Sequence, residues 1–511
     1  MKRYKLIFSV FTLFLMIVGS SCEKYLNDPP ENSKLTETTD YTLTANMVKP
    51  LLGSYYDLNS IEWEDIPLIS VRGDDVNAGG LGDQQDFAET DRYNYNKDYW
   101  MYNSLFQNFY QNMFHANSAM EQIAKYQEFA SNKDLADQYI AEVKVIKSWW
   151  LFQLSRVWGA LPIPPSSDPA ALLPTPISSK DAIMHQIATW MDEAIPKLPD
   201  SRPNERTDIP GGVTKYTALA MKALAALEFD TPDYQIVGDA TGQIINSGKF
   251  ELYPDFYELF KIPGKLCNEN LLELQYSDLG QGTGENFSYL FAFFGPQGWS
   301  PKVAGATEGW GFWEPSLKYI KFMLDRGETV RLETSVLFTN EGIQKLESDP
   351  KYATLPSWIS NTTRSGDVIN NFAREMFVSG KQYLPSDQLT PGRTDYGTNK
   401  NYPIIRYAEI LLMYAEAVLQ GAPASAGSAD NAVNLVRERA ALNPITGVTL
   451  DQVMNEKFAE LAMEVGQRYY DMVRLKRFNE LSYDGRVFNP AEDIFLPYPQ
   501  NQVDQIPSLK H

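Results

Sequence analysis

Apolar residues return every three or four positions along much of this chain, and the period lapses only in its middle. In QNFYQNMFHANSAMEQIAKYQEF (107–129) and LADQYIAEVKVIKSWWLFQLSRVWG (135–159) this spacing predicts two long amphipathic helices, and the short polar break between them predicts an antiparallel hairpin. SSKDAIMHQIATWMDEAI (178–195), VTKYTALAMKALAAL (213–227) and DYQIVGDATGQIINSG (233–248) continue the series, the last closing on Gly248 as a capped terminus does. The pattern resumes in IIRYAEILLMYAEAVLQ (404–420), SADNAVNLVRERAAL (428–442) and LDQVMNEKFAELAMEVGQRYYDMVRLKRF (450–478). Between about 250 and 400, Gly, Pro, Asn and aromatic residues crowd into GQGTGENF, FFGPQGWSP, GWGFWEP and LTPGRTDYG. That stretch predicts loops and short elements carried on something more rigid. The expected fold is mainly α: a tetratricopeptide-like helical scaffold built from both ends of the chain, with a loop-rich, variable region inserted. The repeat signature is too degraded to count units.

At the N-terminus Lys2, Arg3 and Lys5 precede the apolar run LIFSVFTLFLMIVG, which meets small residues and a cysteine in GSSC at 19–22. A basic end, a short apolar stretch and a small-residue cleavage region predict a secretory signal, and the run is too short for a membrane-spanning helix. A cysteine directly after the cleavage region resembles a bacterial lipobox, which implies that Cys22 becomes the lipidated first residue. Gly19 departs from that pattern by standing where leucine is usual, with Val18 one place earlier. A signal peptide cleaved elsewhere, with an incidental cysteine, is the alternative. The expected division is 1–21 signal peptide, 22–40 lipidated leader, 41–250 N-terminal helical part, 251–400 variable part and 401–511 C-terminal helical part completing the scaffold. No segment after the signal is apolar enough to cross a bilayer.

Charge excludes one class of partner. With Lys+Arg 45 against Asp+Glu 65 the net charge is -20, and no basic run follows the first five residues, so nucleic acid is not expected as a partner. Zinc chemistry lacks ligands, because the histidines are His115, His185 and His511 and the cysteines Cys22 and Cys267. Catalysis is poorly supplied too. Glu409 and Glu416 lie on one face of an apolar helix, where Arg406 can neutralise Glu409 as a buried ion pair. Glu456, Glu460, Glu464 and Arg468, four apart, predict a charged stripe with one attractive pair, Glu464 with Arg468. No G-x-S-x-G elbow is present, and Cys267 has no activating context, so no catalytic residue is assigned and no enzyme is expected. RGDDVNAGGLGDQQD (72–86) makes Asp74, Asp75, Asn77 and Asp83 candidate calcium ligands. The spacing does not fit an EF-hand, and a solvated acidic turn is the simpler expectation, with no metal or other cofactor required.

The tryptophans divide. Trp149, Trp150, Trp158 and Trp190 fall on helical patterns, where core packing is expected. Trp100 lies in RYNYNKDYWMYN, ahead of the 107–129 helix, and Trp299, Trp310 and Trp313 lie in the glycine-rich middle. Exposed indoles lower solubility unless a partner covers them, although they also serve to plug loops onto a scaffold. A sugar ring offers an apolar face to such indoles, and Asn96, Asp98, Asn103 and Gln297 are suited to its hydroxyls. A peptide with aromatic or proline side chains fits the same description, and composition does not separate the two.

Several blocks carry a family resemblance. RYAEILLMYAEA (406–417), LVRERAAL (435–442), EKFAELAMEVGQRYYDMVRLKR (456–477) and the late FLPYPQNQV follow SWWLFQLSRVWGALPIP (148–164) and INSGKFELYPDFYELF (245–260). In this order, behind a lipobox, they resemble the SusD-like (RagB/SusD) lipoproteins over nearly all of the mature chain. The resemblance implies a lipid-anchored protein on the outer-membrane surface of a Gram-negative bacterium. It further implies a lid on a SusC-like TonB-dependent transporter that hands over oligosaccharide or polysaccharide without cleaving it. An aromatic platform drawn from an early loop and the variable middle then maps, by region and residue type, onto Tyr99, Trp100, Asn103, Trp299, Trp310 and Trp313. At the family's usual tryptophan four residues before a tyrosine this chain has Phe106 before Tyr110, which leaves Trp100 as the early platform residue. The acidic chain disfavours a strongly anionic glycan, an effect that Arg374 or Arg393 offsets locally. Two alternatives remain at this stage: a peptide ligand for the same transporter system, and a helical assembly scaffold without a ligand.

Overall fold

The computed structural model describes residues 39–61, 65–79, 84–281, 290–392 and 398–510; Cys22, Asp83 and Arg393 lie outside them. The helical scaffold runs from α1 (Val48–Asn59) and α2 (Gln85–Asp91) through α3 (Trp100–Phe129), α4 (Lys133–Trp158), α5 (Lys180–Ala194), α6 (Lys215–Leu227) and α7 (Tyr234–Asn246). Each helix from α3 to α7 packs on the next, and α1 covers the α3–α4 pair. Local chemistry sets these boundaries: the side chains of Asn132, Ser179 and Asp233 accept the N–H groups of Leu135, Ala182 and Ile236 at the starts of α4, α5 and α7. The chain belongs to the mainly α class, with paired helices stacked in tetratricopeptide fashion.

The short α8 (Leu290–Phe294) and α9 (Val330–Ser335) lie in the middle region. The scaffold then resumes in α10 (Tyr407–Leu419), α11 (Ala429–Arg439), α12 (Leu450–Leu461) and α13 (Gln467–Arg474), with α14 (Gln500–Gln505) near the end. α10 packs directly on α7 although more than a hundred and fifty residues separate them in sequence, so the helix stack passes beneath the middle region. Strands are short: β1 (Val76–Asn77), β2 (Asn270–Leu274), β3 (Trp299–Ser300), β4 (Glu314–Pro315), β5 (Val336–Phe338), β6 (Val368–Ile369), β7 (Phe377–Ser379) and β8 (Tyr402–Arg406). They form antiparallel two-stranded ribbons, β1 with β4, β2 with β8, β3 with β6 and β5 with β7. The β2–β8 ribbon, with Asn270 opposite Arg406, ties the two ends of the loop-rich part together at the scaffold.

Three boundaries differ from the sequence expectation, each for a physical reason. α3 starts at Trp100 rather than at 107, because Asp86 of α2 accepts the N–H of Met101 at 3.2 Å and so caps the earlier turn. Ile404 and Ile405 are strand rather than helix, since β2 supplies their backbone partners. The single helix expected over 450–478 breaks between α12 and α13, where Met463 and Gly466 take φ of 59° and 73°. A side chain at Gly466 would bring a Cβ to 2.8 Å of the Ser70 Cα, so glycine is required at that crossing.

The charged residues on α12 also need correction. Glu456, Glu460 and Glu464 are buried, not a solvated stripe. Arg406 reaches Glu269 at 2.6 Å, Glu460 at 3.0 Å and Glu464 at 2.7 Å, and Lys381 reaches Glu464 at 2.8 Å. Arg331 adds Glu456 at 2.8 Å, while Arg439 pairs with Glu269 and Glu460. Arg406 therefore neutralises these carboxylates and not Glu409, whose carboxyl burial pushes up to about 7. Glu416 pairs instead with Arg474 and with Lys457. Arg468 turns away from Glu464 to Asp74, at 2.6 Å, and Lys318 meets the same carboxylate at 2.6 Å. Residues 72–76 are thus buried rather than a solvated acidic turn, and the Asp74 carboxylate among the candidate calcium ligands is paired with Arg468 and Lys318.

Candidate functional site

Trp100 is the first residue of the 30-residue helix α3, and half of its surface is exposed (50%). Its backbone is held from several sides. Asp86 caps the turn, the Tyr99 N–H donates to Asn96 O at 3.1 Å, and the Gln500 N–H donates to Lys97 O at 3.0 Å. Tyr99 is half-buried and meets Tyr102 edge-on at 5.4 Å. One turn on, Asn103 donates to Gln107 Oε1 at 3.0 Å and accepts from Gln502 of α14 at 2.9 Å. An indole on a rigid helix end is therefore bordered by a row of amides. Gln107 and Gln502 were not singled out from the sequence, although Gln107 falls seven residues after Trp100 and so on its face.

GWGFWEP is fastened to the segment around α8. Gly309, Trp310, Gly311 and Phe312 donate their N–H groups in turn to Pro296 O, Ala292 O, Gly295 O and Phe293 O, at 2.8, 2.5, 3.0 and 3.1 Å. The two backbones come so close that a Cβ at Gly309 would lie 2.3 Å from Gly295 atoms. This explains the glycines of the motif: they permit contact between backbones. The aromatic residues between them face different ways. Trp313 is fully buried with its ring 4.1 Å from Phe294, and Phe312 stacks on Phe293 at 5.0 Å, whereas Trp310 is half-buried. Phe87, beside Asp86, packs edge-on against Phe293 at 5.1 Å, so the start of α3 and GWGFWEP share one packed wall.

Two members of the expected platform are consequently core residues. Trp313 has no exposed face, and Trp299 is buried with Leu337, Ile369, Val378 and Tyr383 in a small separate core. Trp299 meets Tyr383 edge-on at 5.8 Å. Trp313 joins the main core of the scaffold, whereas the loop of Trp299 is anchored by that separate cluster. Phe106 is buried against Tyr110, whose hydroxyl donates to Pro162 O at 2.9 Å. Trp149, Trp150 and Trp158 are core, and Trp190 is half-buried with the Lys147 ammonium 4.7 Å from its ring.

Beside Trp310 the surface is completed by Phe372, which the sequence did not mark, and by Arg374, which it named only for its charge. The Phe372 ring would lie 2.7 Å from a Cβ at Gly311, and the Arg374 guanidinium sits 4.3 Å over the Phe312 ring. Glu314 and Glu375, both buried, lie behind this surface. Burial pushes the Glu375 carboxyl well above the ordinary carboxylate range, and the neighbouring Glu314 charge adds to it. Burial likewise pushes the Cys267 thiol up to about 12, which disfavours the reactive thiolate. Among the described residues no group of three or more His, Cys, Asp or Glu is placed to hold a metal ion, and no helix is long and apolar enough to cross a membrane.

The described residues form a stacked array of helix pairs that carries a loop-rich insertion with aromatic residues at its surface. Comparison with known proteins gives its family. Residues 268–510 match the SusD family model, and residues 25–225 match a model described as starch-binding associating with outer membrane. The chain belongs to the SusD-like family. It is 25% identical to SusD-like protein P2 of Formosa agariphila, over 98% of this chain and 97% of that protein. It is 22% identical to a SusD-like protein of Bacteroides ovatus, over 78% and 79% of the two chains. The structure of surface glycan-binding protein A from Bacteroides thetaiotaomicron in complex with laminarihexaose superposes with a TM-score of 0.73, at 22% identity over 91% of this chain and 98% of that one. A laminarin binding SusD-like protein gives 0.72 at 20% identity, over 90% and 97%.

Proposed function

We propose that this chain is a glycan-capturing lipoprotein of the outer-membrane surface, anchored through Cys22, that stacks sugar rings on Trp100 and Trp310 and passes them to a SusC-like TonB-dependent transporter. The observation that carries this reading is Trp100: a half-exposed indole fixed on a helix end beside the amides of Asn103, Gln107 and Gln502. Indole faces cover the C–H face of a pyranose at little entropic cost, and amides both donate to and accept from its hydroxyls. The family and the glycan-bound structural relative support it. Capture needs no acid–base pair, and the buried carboxylates of α12 are committed to arginine and lysine partners, so hydrolysis is not part of the proposal. The net charge of -20 favours a neutral polymer.

The test is retardation of the protein lacking residues 1–22 in native gels cast with laminarin, soluble starch, xylan or galactomannan. Retardation by one of them, strongly reduced in Trp100→Ala and weakened in Trp310→Ala, is expected. Retardation by none, together with binding to a protein hydrolysate, would replace the glycan with a peptide.

A further inference from the structure

Away from Trp100 and GWGFWEP, the loop-rich part holds a second concavity. β5, the 358–364 loop and β6 border a shallow groove open to solvent. Its apolar side is formed by Phe338, Ile369 and the half-buried indole of Trp358, and its polar rim by Glu333, Asn361 and Arg364.

The groove is rigid before any ligand arrives. Asp367, fully buried, accepts the N–H groups of Lys302 and Ser386 at 2.7 and 3.0 Å, and hydroxyls from Ser386 at 2.5 Å and from Tyr383. The loop closes on itself through Thr363 N–H to Asp367 O at 2.8 Å and Ile369 N–H to Asn361 O at 2.7 Å. Arg364 is steadied by two hydrogen bonds to Asp255, at 3.1 and 2.6 Å, and lies 5.0 Å over the Tyr257 ring. A preformed wall of this kind lowers the ordering cost of binding.

We infer that this groove is a second glycan subsite, taking one neutral pyranose ring with its C–H face on Trp358 and its hydroxyls toward Glu333, Asn361 and Arg364. The inference rests on the glycan reading given above. An apolar wall facing an acceptor and donors matches a ring that is apolar on its face and hydroxylated at its edge. A neutral ring fits better than an acidic one, because Asp255 already balances Arg364 and Glu333 adds negative charge to the rim. Two weak subsites on one chain hold a polymer longer than either alone, since the second contact forms at high effective concentration.

The experiment uses gels cast with whichever polysaccharide of the panel retards the protein lacking residues 1–22. Trp358→Ala is expected to weaken retention several-fold. Trp100→Ala/Trp310→Ala is expected to leave weak residual retention, and adding Trp358→Ala should abolish it. Glu333→Ala, which leaves the apolar wall intact, decides the matter if Trp358→Ala melts at a lower temperature than the parent. Retention of Trp358→Ala and Glu333→Ala equal to wild type, with Trp100→Ala still defective, overturns the second subsite and leaves the primary reading standing. A wild type retarded by no polysaccharide overturns both.

Discussion

Glu314 and Glu375 each hold the other's segment: Glu314 accepts the N–H of Met376 at 2.8 Å, and Glu375 accepts that of Trp313 at 2.6 Å. This reciprocal clamp fixes the end of GWGFWEP against the segment carrying Phe372 and Arg374. Burial raises both carboxyls, Glu375 the more strongly, and the second oxygen of Glu375 is buried without a hydrogen-bond partner. A carboxyl whose pKa is higher in the folded state takes up a proton on folding. Its contribution to stability is therefore whole below the unfolded value and declines as pH rises through the folded one. Glu375→Gln mimics the neutral form. Its melting temperature by circular dichroism should lie above wild type at about pH 8 and level with it near about pH 4. Parallel curves at both pH values would contradict the clamp's titration.

Arg406 sits among Glu269, Glu460 and Glu464 with almost no exposure (1%). Removing it leaves buried carboxylates short of a cation, a loss of about 3–5 kcal/mol. Arg406→Ala should accordingly lower the denaturant midpoint sharply, as read by urea unfolding. A change of less than about 1 kcal/mol would mean that Arg439, Arg331 and Lys381 suffice without it.

The indoles should separate by stability as well as by binding. Trp313→Ala removes a fully buried ring and is expected to cost about 3–5 kcal/mol. Trp100→Ala, half exposed at a helix end, should cost about 1 kcal/mol or less. Thermal melts of the two variants check this directly. Equal losses would place Trp100 in the core as well.

Cys267 should resist alkylation. Burial, with the Glu269 charge adding, pushes its thiol up to about 12, so little thiolate is present at ordinary pH. In the protein lacking residues 1–22, iodoacetamide at about pH 8 should label it slowly until denaturant is added, as followed by mass. Rapid native labelling would show the site open.

Much of this architecture was legible in the sequence, and the exceptions share a cause. The helices from 135 to 248 could be read because three- and four-residue spacing records which face each buries. The spacing of Glu456, Glu460 and Glu464 is the same for an exposed stripe and for a buried one. What decides is Arg331, Arg406 and Arg439, brought from other elements by the fold. The break at Gly466 carried its own signal, a glycine inside a helical pattern. At the site, Trp100 stood out by its company of tyrosine and asparagine. Which indole of GWGFWEP faces outward depends on the backbone register with residues 292–296, set by the Gly309–Gly295 contact, and no local pattern records that contact. Trp358 lies in LPSWIS without aromatic neighbours, so no local pattern marks it.

The most direct measurement is calorimetric titration of the protein lacking residues 1–22 with laminarihexaose and with oligosaccharides of the other panel polymers, beside Trp100→Ala. Saturable heat with one of them in wild type, lost in a Trp100→Ala variant that melts normally, is the expected result. Equal heat in the two proteins would contradict Trp100 as the platform. Heat with no glycan at all would contradict capture itself.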